Sequence, residues 1–246
     1  MGVLEAILGQ VDAAATELAG YEPSCMNWLE RACTVARWVV PALDACAEEL
    51  TQYAEDVLNA PAKLRRMWTE LKQCTDAPTS SIQAFERLLS LDDVLRESVT
   101  GEVVSKVVTG FLMDRHLEFR SNGRSDYPDL FLNTLDYTGL AAFARKGVGP
   151  MQYGAALKGK ERRPVRVPDG LEIKTCRKAI RVDCHNCHVG LHLILVFAEE
   201  KRLFRVTDLA LGFLKAADYR ESGRNTTTTT VKFSFNGDRF HSLMHR

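Results

Sequence analysis

Three ionisable residues, Asp129, Glu172 and Lys174, have the types and the spacing that metal-dependent hydrolysis requires. Asp129 opens a short apolar run, and Glu172 and Lys174 alternate with Leu171 and Ile173. Alternate side chains of a β-strand share a face, so Glu172 and Lys174 point together. If the two strands pair, Asp129 joins them. Two carboxylates offer Mg²⁺ the oxygen ligands it prefers, and a neighbouring ammonium group orients water, which predicts hydrolysis of a phosphodiester.

The Glu-x-Lys pattern occurs three times, starting at Glu70, Glu172 and Glu199. The first lies in a helical pattern, and the third lies in a charged turn after an apolar run. Only the second combines strand alternation with a preceding Pro-Asp strand, Pro128-Asp129. A second Pro-Asp pair, Pro168-Asp169, is read as a turn that lies too close to Glu172 to supply the partner acid.

Asp129 together with Glu172-Ile173-Lys174 resembles the signature of the PD-(D/E)XK nucleases, and the chain resembles a type II restriction endonuclease over roughly residues 100–246. The resemblance implies that Asp129, Glu172 and the Ile173 backbone carbonyl bind Mg²⁺, for which Mn²⁺ is expected to substitute. It implies that Lys174 positions the attacking water. The 43 residues from Asp129 to Glu172 exceed the usual spacing of the family, which predicts an insertion between the strands.

The same resemblance implies further residues, products and partners. A glutamate on the helix before the Pro-Asp strand often adds a water-mediated metal contact, and Glu102 and Glu118 are the candidates. The substrate would be double-stranded DNA, cut to 5′-phosphate and 3′-hydroxyl ends. A palindromic site calls for a two-fold homodimer, because each active site cuts one strand. A cell with such an enzyme would need a cognate DNA methyltransferase.

Charge is divided unevenly along a chain whose net charge is zero. Residues 1–100 hold 16 acidic and 8 basic side chains, whereas residues 101–246 hold 16 acidic and 24 basic ones. This division predicts that only the second part contacts a polyanion, although two solvated surfaces of opposite sign would look the same.

Two segments are candidates for DNA contacts. The insertion, residues 133–169, is predicted to be a basic, glycine-bearing loop that binds phosphates, through Lys158, Lys160, Arg162 and Arg163. A loop carries Arg220, Arg224 and Asn225, residue types that read guanine and adenine, and Thr226 and Thr228 would add hydroxyls in a groove. It precedes a predicted β-hairpin that turns at Asn236-Gly237 and returns over residues 238–244. A mobile surface loop and a plain surface hairpin are the alternatives.

The seven cysteines are an odd number in a mid-sized chain, which favours reduced thiols in the cytosol over a disulfide framework. The sequence shows no signal peptide and no membrane span, so a cytoplasmic protein is predicted. The stretch Cys184-His185-Asn186-Cys187-His188 indicates either a polar turn or a zinc site, with ligands from Cys176, Cys184, Cys187 and His188.

The predicted fold is α/β, with a mixed central β-sheet over about residues 129–245, flanked by helices as in restriction endonucleases. Residues 1–100 are predicted to be a helical, acidic region that braces the catalytic part or forms a dimer contact. Residues 101–246 are predicted to be the catalytic and DNA-binding domain. The expected helices span residues 3–19, 24–40, 41–59, 61–74, 80–91, 102–119 and 207–217.

Two other functions fit the same sequence. One is a repair or junction nuclease with the same chemistry but a structural target. The other is a non-catalytic nucleic-acid-binding protein with a structural zinc ion. A Ser-His-Asp or Cys-His hydrolase also stays open, although no nucleophile motif surrounds any of these residues.

Overall fold

The computed structural model describes residues 2–18, 28–72, 100–116, 118–121, 129–132, 153–157, 161–165, 170–184, 190–200, 203–224 and 231–244. Its helices are α1 (Val3–Leu18), α2 (Trp28–Lys72) and α3 (Thr100–Arg115). None of the helices in this part of the chain is long and apolar enough to cross a membrane. The helix predicted for residues 80–91 lies outside the described residues.

The long helix α2 replaces three predicted helices, so the breaks expected at Pro41 and Pro61 are wrong. A proline inside a helix costs about 3 kcal/mol, because it removes one hydrogen bond and crowds the preceding turn. The apolar stripe of α2 continues across Pro41 and is buried at each position, at Val39, Val40, Leu43, Cys46, Ala47, Leu50, Ala54 and Leu58. Burying each such aliphatic side chain contributes about 1.5–3 kcal/mol, which outweighs the cost of the proline.

The strands form a six-stranded mixed sheet with the order β1-β2-β5-β7-β8-β11. Two smaller sheets have the orders β6-β10-β9 and β3-β4. The β5–β7 pair is parallel, and the other pairs are antiparallel. The strand bounds are β1 (Phe119–Ser121), β2 (Leu130–Leu132), β3 (Tyr153–Leu157), β4 (Glu161–Val165), β5 (Gly170–Arg177), β6 (Arg181–Cys184), β7 (Gly190–Glu200), β8 (Leu203–Leu214), β9 (Arg220–Arg224), β10 (Val231–Asn236) and β11 (His241–Ser242).

The two faces of the central sheet bury different side chains. One face packs against the three helices in a single apolar core, to which Leu171, Ile173, Leu193 and Leu211 contribute. The opposite face carries a smaller apolar cluster that joins β5 and β7 to β6 and β10, through Cys176, Val182, Ile194, Val196, Leu214, Tyr219 and Phe235. The described helices of residues 1–100 therefore share a core with the sheet, while the division into two domains at residue 100 stays a prediction.

Four local predictions are wrong. The helix predicted for residues 207–217 is the second half of β8, followed by a 3₁₀ turn at Ala216–Asp218. The helix expected to reach Phe119 ends at Arg115, because Phe119 pairs with Leu132 in β1. The residues after Asn236-Gly237 do not return along β10. They form a 3₁₀ turn at Gly237–Arg239 and then β11, which pairs with β8. The predicted insertion loop contains the hairpin β3–β4.

Two side chains of α2 contact the outer edge of β8 near its start. Asn59 Nδ2 donates to the Phe204 carbonyl, and the Phe204 N–H donates to Asn59 Oδ1, both at 2.8 Å. The Val206 N–H donates to Glu55 Oε1 at 2.7 Å. This stretch precedes the two positions at which β11 pairs with β8. The helix thus supplies hydrogen bonds that a neighbouring strand would otherwise make.

The predicted fold class is confirmed. The chain has an α/β fold in which a mixed central sheet is flanked by helices, with a helical N-terminal region.

Candidate active site

The start of β2 lies beside the start of β5. Leu130 pairs with Leu171 and Phe131 with Gly170, so continuing this antiparallel register places Asp129 beside Glu172. The Asp129 carboxylate accepts a hydrogen bond from the Ile173 N–H, with 2.8 Å between Oδ2 and the nitrogen. Residues 129 and 172, far apart in the sequence, are therefore held together by one short strand pairing.

Glu172 and Lys174 share the face of β5 that is turned away from the helices, because Leu171 and Ile173 occupy the other face. Lys174 Nζ lies 2.5 Å from Glu172 Oε1. Glu172 is 3% exposed, whereas the Lys174 side chain keeps 28% of its surface accessible. Burial lowers the pKa of Lys174, but the attraction of Glu172 and Asp129 outweighs burial and raises it, so the ammonium form is retained.

The positive charge near Asp129 is too small to hold the pKa of its carboxyl group at the usual value. Burial and the neighbouring Glu172 raise the pKa of Asp129 to about 6. The Ile173 N–H, the Lys174 ammonium group and a hydrogen bond from Ser105 on α3 oppose this rise without cancelling it. Two carboxylates beside one ammonium group leave one excess negative charge in a largely buried place.

This donor set fits a hard divalent cation. A cation would relieve the repulsion between Asp129 and Glu172, and Mg²⁺ is commonly bound by one or two carboxylates while it keeps several waters. Within the described residues no group of three or more His, Cys, Asp or Glu side chains could hold a metal ion. The Ile173 carbonyl stays the further ligand that the sequence predicts. The N–H and C=O of one strand residue point to the same side, and the Ile173 N–H already points to Asp129.

A buried histidine lies beside this set. His192 on β7 is the register partner of Glu172 and is 1% exposed. Its Nδ1 is 2.8 Å from the Gly190 carbonyl, so Nδ1 carries the proton and donates. Its Nε2 then accepts from the Tyr219 hydroxyl at 3.3 Å. The ring of Phe235 contacts the imidazole edge on. These contacts fix the tautomer and the orientation of the ring.

The two helix glutamates lie in different elements. Glu102 lies in α3, and its side chain is outside the described part of the chain. Glu118 lies in the turn before β1 and lines a cleft formed with α2. The structure does not bring Glu118 to Asp129 and Glu172, since these three described carboxylates form no common group.

Four of the residues predicted to contact DNA lie on two small sheets. Arg162 and Arg163 are in β4, opposite Ala156 and Ala155, so they belong to a strand and not to a loop. Arg220 and Arg224 are the ends of β9, also a strand and not a loop, and Arg220 is exposed. The remaining candidates lie outside the described residues: Lys158, Lys160, Asn225, Thr226 and Thr228.

The zinc prediction involves two described cysteines. Cys176 is buried on β5, and burial raises the pKa of its thiol, which disfavours the thiolate that zinc requires. Cys184 ends β6 and packs against the same cluster. Cys187 and His188 lie outside the described residues, so a zinc site stays a prediction.

Two residues of this site were not predicted from the sequence. Ser105 is an ordinary helix serine, and nothing near it in the sequence points to Asp129. His192 had a signal, because it is the one polar side chain in the apolar run of residues 190–198.

Comparisons with known proteins add little to this geometry. No protein-family model matches the chain, and no curated protein matches it either. The crystal structure of the restriction endonuclease BglI bound to its DNA recognition sequence is similar over 98% of this chain and 98% of that chain, with 9% sequence identity and a TM-score of 0.41. A similarity of this size assigns no role to any residue.

Proposed function

We propose that this protein is a PD-(D/E)XK nuclease that hydrolyses phosphodiester bonds of double-stranded DNA with Mg²⁺, as a type II restriction endonuclease does. The observation that carries the proposal is the joining of Asp129 to the Glu172-Ile173-Lys174 segment through the Ile173 N–H. The excess negative charge of the carboxylate pair explains the need for a cation, and the ammonium group beside it explains how a nucleophile is held.

Each residue has a separate role in this reaction. Asp129 and Glu172, with the Ile173 carbonyl, would hold Mg²⁺, and Glu102 is the candidate for a further contact through water. When bound, Mg²⁺ polarises the phosphoryl oxygen and favours deprotonation of water. Lys174 donates a hydrogen bond to the attacking water and orients its lone pair towards phosphorus. Ser105 and the Ile173 N–H hold the Asp129 carboxylate in place. His192 and Tyr219 lie on the β7 side of the two carboxylates.

The proposed substrate brings further partners. Arg220 and Arg224 on β9, with Arg162 and Arg163 on β4, would contact DNA, and the neighbouring Lys158, Lys160, Asn225, Thr226 and Thr228 extend both segments. Two-fold symmetric DNA calls for a homodimer. A cognate methyltransferase would protect the DNA of the host.

The test is cleavage of unmethylated phage DNA by the wild type and by Lys174→Ala, with Mg²⁺ or with EDTA. Arg205→Ala is the matched control, because Arg205 is an exposed cation on β8 that pairs with Ala198, six residues along β7 from His192, the register partner of Glu172. Discrete fragments that require Mg²⁺, persist in the control and vanish in Lys174→Ala support the proposal.

Other outcomes separate the alternatives. Unselective Mg²⁺-dependent degradation would support the roles of the catalytic residues. It would reject the restriction assignment in favour of a repair or junction nuclease. A folded wild type that binds DNA without cutting it, and that contains stoichiometric zinc, would reject catalysis altogether.

A further inference from the structure

A cleft on the helix side of the molecule is used by none of the roles proposed above. It has a volume of about 510 Å³ and lies between α2, the turn before β1, and β2. We name it the Trp38 cleft, and its lining residues are Arg37, Trp38, Pro41, Ala42, His116, Glu118, Phe119 and Leu132.

The helix beside this cleft exposes apolar side chains. Trp38 is 48% exposed, which is unusual for so large an apolar side chain. Pro41 and Ala45 are also exposed, three and seven residues further along α2, so the three share one face of the helix. Exposed apolar patches that contain tryptophan and arginine are typical of protein–protein contacts.

The cleft also carries two opposite charges. Arg37 lies on α2, and Glu118 lies across the cleft in the turn before β1. Among the described residues neither side chain forms an ion pair. In a two-fold contact the same surface of both molecules meets, so a residue on one side faces a different residue on the other, reciprocally. A surface with one unpaired cation and one unpaired anion is complementary to itself.

We propose that the Trp38 cleft is the contact surface of a two-fold dimer of this chain. Arg37 pairs with Glu118 of the partner subunit, and the reciprocal pair closes the other side. The Trp38 side chain of each subunit enters the cleft of the other between these two ion pairs.

The proposed surface lies near the candidate active site, and the biological sense of the dimer rests on the proposed function. Leu132 lines the cleft, and Asp129 lies three residues before it, at most ~10 Å away along the chain. The cleft therefore lies close to the strand end that carries Asp129, while Glu172 and Lys174 occupy the face of β5 that is turned away from the helices.

The test measures mass by sedimentation equilibrium, without DNA or Mg²⁺. The wild type is expected to be a dimer at micromolar concentration. Arg37→Glu and Glu118→Arg each place like charges in contact twice, so each variant is expected to dissociate at least about 100-fold more readily, because juxtaposed like charges oppose association. Mixing the two variants restores both ion pairs across the interface, so a heterodimer is expected to form from two monomers.

Rescue by mixing is the decisive outcome, since an ion pair within one subunit could not be restored in this way. Trp38→Ala is expected to be a folded monomer, with unchanged far-UV circular dichroism. Arg205→Glu is the control and is expected to remain a dimer. A wild type that is monomeric at 100 μM, or two monomeric variants that do not associate, would overturn the proposal. Lys174→Ala is expected to dimerise as the wild type does, so a failure of the nuclease assignment would leave this result unaffected.

Discussion

The two faces of strand β5 differ in what their burial achieves. Leu171 and Ile173 face the helices and lie in the large apolar core. Glu172 and Lys174, between and beside them, face the smaller cluster and form a close ion pair. Both faces are buried or nearly so, but on one face burial stabilises the fold, whereas on the other burial opposes the ionised form of Asp129.

This difference indicates how the fold tolerates its site. Burying a carboxylate pair with one ammonium group costs free energy. The apolar residues on the opposite face of the same strand keep that strand in place. We therefore expect substitutions on the helix side to lower stability and to leave cleavage intact, and substitutions on the Glu172 side to lower cleavage without a comparable loss of stability.

The largest expected effect is that of Lys174→Ala on the rate of cleavage. Removing the group that orients water is expected to lower kcat roughly 10²- to 10⁴-fold, as for other residues that assist proton transfer. Single-turnover cleavage with saturating Mg²⁺ measures it. A loss of less than tenfold, in a variant that is folded and binds DNA, would show that the two faces do not divide chemistry from stability in this way.

Leu195→Ala tests the helix side of β7. Leu195 is fully buried in the large core, so its truncation is expected to lower the free energy of unfolding by about 2–5 kcal/mol. Urea denaturation measures this loss. Cleavage at 20 °C should stay within a factor of about two of the wild type while the variant is folded. A large fall in kcat without loss of stability would contradict the comparison.

Asp129→Asn is expected to remove cleavage and to increase stability. The raised pKa means that the folded wild type holds a proton which the unfolded chain has lost between about pH 4 and about pH 6. The wild type therefore loses stability as the pH rises through this window. Asparagine does not titrate and still accepts from the Ile173 N–H.

The variant should then gain up to about 3 kcal/mol over the wild type at pH 8, relative to their difference at pH 4. Urea denaturation at both pH values checks this. Mg²⁺ should raise the stability of the wild type at pH 8 and have no such effect on the variant. Equal pH dependence of the two proteins would refute the assigned environment of Asp129.

Ser105→Ala has the smallest expected effect. The Ser105 hydroxyl donates to the Asp129 carboxylate, so its loss should raise the pKa of Asp129 further. Because Mg²⁺ needs the ionised carboxylate, kcat/KM at limiting Mg²⁺ is expected to rise with pH on the acid side. The variant should shift this rise to higher pH by about one unit, the equivalent of one hydrogen bond to a charged group. Ser105→Thr, which keeps a hydroxyl, should not shift it.

The sequence predicts the strands of the candidate site well, because their signals are local. The alternation at residues 171–174 and the apolar run of residues 190–198 each indicate a strand without reference to the rest of the chain. The sequence predicts that Asp129 lies close to Glu172 only if the two strands pair, and in the structure β2 pairs with β5. The chemical roles of these residues stay predictions.

Other elements depend on distant partners, and there local reasoning fails. Thr207-Asp208 looks like a helix N-cap, and residues 209–214 are apolar enough for a buried helix or a buried strand. Pairing with β7 along its whole length decides for the strand. Asn236-Gly237 looks like a hairpin turn, but β10 pairs with β6 and β9 instead. The hydrogen bond from Ser105 to Asp129 joins residues 24 positions apart, and no sequence pattern predicts it.

The hydrogen bonds from Asn59 and Glu55 to β8 carry a consequence for the behaviour of the chain in a crowded solution. The Asn59 amide uses one N–H of Nδ2 as donor and Oδ1 as acceptor, the same pair that a peptide group presents, so Asn59 takes the place of a strand residue. An unprotected strand end invites another molecule to add itself and start a fibril. Here side chains of α2 already bond to the backbone groups of Phe204 and Val206. Another molecule therefore finds fewer free groups with which to add a strand at this end of the sheet.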